Sequence, residues 1–242
     1  MRFVFRFGKN VWLIHKKKFN VVQNTYMRSL VLFLLVICAA HVWAQDRPYT
    51  FVSLNSNPDA AKITKEESDK LMEGHMANIN KLASEGKLLA AGPFEGGGGI
   101  FILNTKSSEE AASWLGTDPG VQAKRWRIEY LPYQPRIGSV CPVSEDYEMV
   151  DYIFIRYKPL ISKFNAGTYP ALLENHDNHI RQNEIANQIV TEGSFDDEGN
   201  SILILKMELP SGLLESDPAV QEGLMTMEVK KLYIARGSFC EN

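Results

Sequence analysis

Hydrophobic and polar positions along this chain fall into two rhythms, and the rhythms come in the same order twice. Tyr49-Thr50-Phe51-Val52-Ser53-Leu54 is a β-rich run stopped by Asn57-Pro58. From Thr64 the apolar positions move to spacings of three and four, at Leu71, His75, Ile79, Leu82 and Ala83. Thr64-Lys65-Glu66-Glu67 has the form of a capping box, so a helix is predicted from Thr64 until Gly86 ends it. Residues 87–91 form a short strand leading into Gly92-Pro93, and Ile100-Phe101-Ile102-Leu103 is the next strand, with a glycine-rich hairpin loop at 95–99 between them. Ser107-Ser108-Glu109-Glu110 caps a second helix containing Ala111, Ala112, Trp114 and Leu115, which Asp118-Pro119 terminates. Residues 125–131 alternate and close the unit. The order βαββαβ is that of the split-βαβ, ferredoxin-like unit.

After an irregular linker at 132–147, marked by Pro132, Pro135, Gly138 and Pro142, the order returns. Strands are predicted at 152–157, 188–191, 201–207 and 229–235, with a helix over 169–186. Residues 197–200 make a turn, and Pro210 stands where the first turn of a second helix should begin. His75 and His176, Ile79 and Ile180, Gly92 and Gly193, and Phe94 and Phe195 are each 101 residues apart. Asp118-Pro119-Gly120-Val121-Gln122 recurs 99 residues later as Asp217-Pro218-Ala219-Val220-Gln221. Matches in the same order at two nearly equal offsets imply a tandem duplication, with repeats at 45–134 and 150–242 and a linker at 135–149. Each repeat leaves one sheet face uncovered by its helices, and the other repeat is the nearest partner, so the two are expected to pack sheet to sheet as one α+β body.

Composition narrows the partners. A chain of 242 residues that is 45% hydrophobic and 23% charged is able to bury a core, and a net charge of −3 gives no electrostatic reason to expect nucleic acid or an anionic membrane surface. Residues 30–40 are an apolar run of 11, preceded by Arg28 and followed by Val42-Trp43-Ala44. That run is short for a bilayer span and its small-x-small ending suits signal peptidase, so cleavage after Ala44 is expected, with Met27 as an alternative start. An uncleaved anchor and a lipidated Cys38 are the alternatives, the second opposed by Ile37 where a small residue is required. Cleavage would leave an exported, periplasmic or secreted chain with no stable membrane span and two cysteines, Cys141 and Cys240, in the same place of each repeat. A disulfide between them is expected, against the alternative of two free thiols on opposite sides of the body.

The residues carry a resemblance. A helix bearing His75, then Gly86-Lys87-Leu88-Leu89-Ala90-Ala91-Gly92-Pro93, then Asp118-Pro119-Gly120-Val121 before a closing strand, resembles the YciI or YCII-related family. In the second copy the matching residues are His176, Gly193 and Asp217-Pro218-Ala219-Val220. The resemblance implies two ferredoxin-like units paired as a dimeric α/β barrel, here within one chain, related to muconolactone isomerases. Most members have no assigned activity, and a chlorohydroquinone dehydrochlorinase is an exception. It further implies a His/Asp pair in a cleft beside the sheet, mapping onto His75 with Asp118 and His176 with Asp217, and a substrate pocket at Gly92, Pro93, Gly193 and Ser194. The Arg often found three residues before the family His is Met72 in one copy and Leu173 in the other, and Ser194 replaces Pro. Loss of that cation speaks against an anionic substrate.

Each candidate has a plainer reading beside it. An imidazole oriented by a carboxylate serves as a general base near neutral pH, but a helix histidine is also a common structural hydrogen-bonding group. Asp before Pro is common turn chemistry. His176 and His179, at i and i+3, could meet one metal, but no further ligand lies at suitable spacing, and no metal or cofactor is implied. Gly96 to Gly99 lacks the Lys-Ser/Thr of a phosphate loop and lies between strands. Trp114, Trp126, Tyr130 and Tyr133 are expected in the core. Two functions follow: a small-molecule lyase or isomerase working by His/Asp proton transfer, or a non-catalytic exported binding or structural module on the same barrel.

Overall fold

The computed structural model describes residues 48–143, 146–163, 165–196, 198–206, 209 and 212–240. The expected signal segment, its cleavage site, Met27 and Cys38 lie outside the described residues. Among the described residues, no helix is long and apolar enough to cross a membrane.

The first half runs β1 (Tyr49–Ser56), α1 (Lys65–Ser84), β2 (Leu88–Pro93), β3 (Gly99–Leu103), α2 (Ser108–Leu115), α3 (Pro119–Gln122) and β4 (Trp126–Ile137). Thr64 caps α1 by accepting from the Glu67 amide at 3.2 Å, while the Glu67 carboxylate reaches back to the Thr64 amide at 2.7 Å. Gly86, at φ +67°, ends the chain's run out of α1, a conformation that suits glycine. The second half runs β6 (Met149–Pro159), α4 (Tyr169–Ile180), α5 (Asn183–Ala186), β7 (Ile189–Ser194), β8 (Ser201–Leu205), α6 (Pro218–Gln221) and β9 (Met225–Ala235), with β5 (Ser139–Val140) and β10 (Phe239–Cys240) following β4 and β9.

The sheet order is β2-β3-β1-β4-β7-β8-β6-β9, with every neighbouring pair antiparallel. The two outer strands meet as well. Phe94 bridges to Leu232, and the Glu95 amide donates to the Lys231 carbonyl at 3.0 Å. The eight strands therefore close into a barrel, and among the described residues no long strand edge is left bare. Its lumen is filled by Phe51, Phe94, Tyr133, Phe154 and Phe195, with ring centroids of Phe51 and Phe195 5.0 Å apart and of Phe94 and Phe154 4.9 Å apart. On the outside, Val52, Leu54, Phe101 and Leu103 pack under Leu82, Ala111 and Leu115. Ile155, Tyr157, Leu203 and Leu205 pack under Ile180 in the second half. Burial of each such side chain is worth about 1.5–3 kcal/mol, so the faces left bare by the helices are covered at a large gain.

Three expectations need correction. The halves meet along strand edges as well as across the lumen, so sheet-to-sheet packing describes only part of the contact. The segment read as an irregular linker from residue 132 is strand: β4 pairs with β1 over Trp126–Tyr133 and continues to pair with β7 from Gln134 to Ile137. Of its prolines, Pro132 stands opposite Thr50 of β1 and Pro135 sits at the register shift with β7, the kind of irregularity where proline is found in strands. In the second half the described residues around Pro210 hold no counterpart of α2. Residues 212–216 are turns, and Asp118 and Asp217, rather than ending helices, begin the short α3 and α6.

Beyond β4 and β9 the chain turns at Gly138 and Gly237, at φ +72° and +90°, into β5 and β10, which pair with each other. This brings Cys141 and Cys240 together in a disulfide with Cα atoms 5.7 Å apart. The bond closes a sequence separation of 99 residues. Replacing both cysteines by serine should lower the unfolding free energy by up to about 4–5 kcal/mol, the value chain entropy gives for so long a loop. Urea unfolding of oxidised and variant protein measures it, and equal midpoints would show that the bond does not constrain the unfolded chain.

Candidate functional site: a histidine–aspartate pair in each half

In the first half the pair is built from two helices. Gly74 lets α3 approach α1, since a Cβ there would come within 2.7 Å of the Pro119 ring. Asp118 caps α3, its Oδ1 accepting from the amides of Gly120 at 2.8 Å and Val121 at 3.2 Å. Its Oδ2 lies 2.7 Å from Nδ1 of His75, and Asn78 donates to the same oxygen at 3.4 Å. Burial pushes the Asp118 carboxyl up, but the hydrogen bond and charge of His75 and the two amides together hold it below the usual carboxylate value. The carboxylate therefore stays ionised and keeps the proton of His75 on Nδ1, which leaves Nε2 to face other chemistry.

The second half repeats the pair. Nδ1 of His176 lies 2.5 Å from Oδ2 of Asp217, whose Oδ1 caps α6 through the Ala219 amide at 2.9 Å. Asp217 is likewise held below its ordinary value, burial being outweighed by the hydrogen bond and charge of His176 and by the Ala219 amide. The surroundings differ sharply. His176 is 1% exposed, its Nε2 is buried without a hydrogen-bond partner, and the Tyr157 ring meets it edge-on at 4.7 Å. The Tyr157 hydroxyl is buried and unpartnered too, and burial pushes its ionisation far up.

His75 instead lines an open cleft of about 1110 Å³ between α1, β2 and the segment after Cys141. Trp126 lies 4.8 Å from the His75 ring, and Met72, Met76 and Ala91 form apolar walls that Pro142, Val143 and Tyr147 continue. Strand register shows why His75 lines the cleft while His176 is covered. Leu54 pairs with Gly99 and Ile128, as Tyr157 pairs with Ser201 and Met227, so a leucine in the first half stands where a tyrosine covers His176. Trp126 likewise answers to Met225, and a Cβ on Gly120 would strike the Trp126 ring, whereas Ala219 fits against its smaller surroundings. Where the cleft has Met76, Ala91 and Ala235, the second half has Asp177, Glu192 and Arg136. Arg136 donates to Glu192 at 2.5 to 3.0 Å and to Asp177 at 3.2 Å, filling that space with an ion-paired plug. The hydrogen bond and charge of Glu192, aided by Asp177, outweigh desolvation and keep the guanidinium charged.

The other expected site residues divide in the same way. Gly92 and Pro93 line the cleft, although Gly92 also serves the barrel seam, where a Cβ would come within 2.7 Å of the Tyr233 carbonyl. Gly193 and Ser194 are buried, Gly193 against the Tyr133 ring. His179 Nε2 donates to the Leu213 carbonyl at 2.9 Å. Among the described residues, no group of three or more His, Cys, Asp and Glu side chains is placed to hold a metal. Trp126, expected in the core, packs against it and is also a wall of the cleft. Its role, and those of Met72, Met76 and Tyr147, carry no motif; the differences between the two halves at Met76, Ala91 and Ala235 are the available signal.

Fold and site together define an α+β barrel with a carboxylate-oriented imidazole on each half. Residues 41–129 match the YCII-related domain. A comparison with curated proteins finds no match. Among solved structures, the chain is similar to a proposed monooxygenase from Lactobacillus acidophilus NCFM, at 12% identity over 77% of this chain and 92% of that one, with a TM-score of 0.38. A proposed monooxygenase from Fusobacterium nucleatum subsp. nucleatum ATCC 25586 is similar at 9% identity over 80% and 97%, with a TM-score of 0.41. A proposed chlorite dismutase is similar at 7% identity over 78% and 95%, with a TM-score of 0.45. At these identities the function has to be argued from the site itself.

Both aspartates titrate lower in the folded chain than in the unfolded one. Their stabilisation is therefore present at all pH values above the unfolded value of about 4 and is lost as pH falls through the lower folded values. Asp217→Asn and Asp118→Asn should each be less stable than the parent at pH 7, and the difference should shrink on acidification below about pH 4. Chemical unfolding at a series of pH values checks this. A difference that does not change with pH would mean that the carboxylate charge contributes nothing.

Proposed function

We propose that the cleft of the first half is a small-molecule site in which His75 transfers protons, and that the His176–Asp217 pair of the second half serves structure alone. The observation that carries this reading is the contrast between two equivalent pairs, one lining an open cleft and the other sealed by Tyr157 and the Arg136–Glu192–Asp177 plug. Proton abstraction from a carbon next to a carbonyl would put the proton on Nε2 of His75 and the electron pair into an enolate. Return of the proton to another carbon makes the protein an isomerase, and expulsion of a leaving group from the neighbouring carbon makes it a lyase. Asp118 orients the ring and stabilises the imidazolium that forms. A base so placed contributes about 10²–10⁴-fold in rate.

We further propose that the repeats at 45–134 and 150–242, joined through 135–149, arose by duplication. The second half then takes the place that a second subunit would have in a dimeric barrel. Residues 1–44 are proposed as a targeting segment, with the remainder exported to the periplasm or secreted, a setting in keeping with the Cys141–Cys240 bond. The second reading, a non-catalytic exported binding module, is supported by the close packing around His176, whose Nε2 is buried.

The two readings separate in deuterium oxide. Acetophenone, cyclohexanone and 2-acetylnaphthalene incubated with the full chain should exchange their α-hydrogens faster than in buffer. His75→Gln should slow that exchange by about 100-fold or more, and His176→Gln, once shown by circular dichroism to fold, should leave it unchanged. Exchange at the buffer rate for all three ketones, followed by proton NMR, would leave the binding-module reading.

A further inference from the structure

We infer that the cleft beside His75 selects an uncharged, largely apolar molecule carrying a single carbonyl-like head group, and that it rejects carboxylates and phosphates. This rests on the cleft being a small-molecule site, and it specifies what that site takes.

The described residues that line the cleft include three ionisable side chains: His75, Arg125 and Tyr147. The Arg125 guanidinium already donates to the Ala61 carbonyl at 2.7 Å. A positive charge on His75 is answered by Asp118, at 2.7 Å behind it. The amino-terminal end of α1, which could otherwise attract an anion, is capped by Thr64 and Glu67 and carries Glu66 and Glu67 in its first turn. Arg125 is thus the one guanidinium among the described lining residues, and a carboxylate brought to His75 would lose water and lie near the buried Asp118 charge behind the ring, which is unfavourable. The second half shows what a polar version of the same space requires, namely Arg136 ion-paired to Glu192 and Asp177.

Apolar surface points the same way. Met72 and Met76 are 52% and 47% exposed, unusual for large hydrophobic side chains, and both face this cleft with Tyr147. Methionine adapts its shape to a bound group, and the Trp126 ring beside His75 offers a flat face to a planar body. A ligand laid along these walls brings its one polar atom to Nε2 of His75.

Two probes with the same ring body and different heads test the inference. Isothermal titration calorimetry of the full chain at pH 7.5 should show 2-acetylnaphthalene binding at least tenfold more tightly than 2-naphthoate. The double variant Ala91→Glu with Ala235→Arg, which copies the Glu192–Arg136 pair into the cleft, should weaken binding of the ketone at least tenfold. Met76→Asp, on the exposed face of α1, should weaken it as well and gives an independent check if the double variant fails to fold. Naphthoate binding as tightly as the ketone would overturn the inferred ligand class while leaving the cleft as a binding site. If neither probe binds, or if the ketone is indifferent to all of these substitutions, the small-molecule reading of the cleft falls too.

Discussion

A sheet covered by helices on one side has an apolar face that must be hidden, and this constraint organises the molecule. Phe51 and Phe94 in the first half, and Phe154 and Phe195 in the second, are on faces with no helix over them. One half alone would expose those rings to water. Closing the eight strands into a barrel buries both faces together, pairs β4 with β7 and bridges Phe94, just after β2, to Leu232 of β9, so burial and edge pairing are satisfied by one arrangement. The disulfide between the short β5 and β10 then ties together the chain ends that leave the barrel from each half.

Once closed, the barrel holds two equivalent histidine–aspartate pairs whose positions are set by the same devices. Each aspartate caps a short helix through one carboxylate oxygen and holds a histidine of a long helix through the other. The pair is therefore a joint between helices before it is anything else, which explains why it persists where no solvent reaches it. What differs is the shell around the ring. His75, with Leu54 and Trp126, lines the cleft, whereas the Tyr157 ring meets His176 edge-on, and an ion-paired plug replaces apolar wall. Identical local chemistry is thus given two surroundings by a few side chains on neighbouring strands.

Much of this was legible in the sequence because it rests on local signals. Thr64 and Glu67 mark the start of α1, alternation marks the strands, and the paired offsets bring His75 with Asp118 and His176 with Asp217 into corresponding places. The less legible parts depend on tertiary context. Pro132 and Pro135 read as linker because a strand that changes partner from β1 to β7 tolerates proline only at the positions the register provides. Pro210 resembled a helix start, yet the described residues after it turn without forming a counterpart of α2. Trp126 read as core because periodicity gives the face of a strand, not whether the helix above leaves a gap there. The cleft comes from differences between the halves, such as Met76 against Asp177 and Ala91 against Glu192, which a search for matching residues passes over.

The central claim is that the two histidines, alike in their aspartate partner, differ in access. Diethylpyrocarbonate modification of the folded, full chain, quenched at intervals and mapped by mass spectrometry, measures this directly. The account predicts that His75 is carbethoxylated at least tenfold faster than His176, and that the difference disappears on unfolding. Equal rates in the folded protein, or faster reaction at His176, would contradict it.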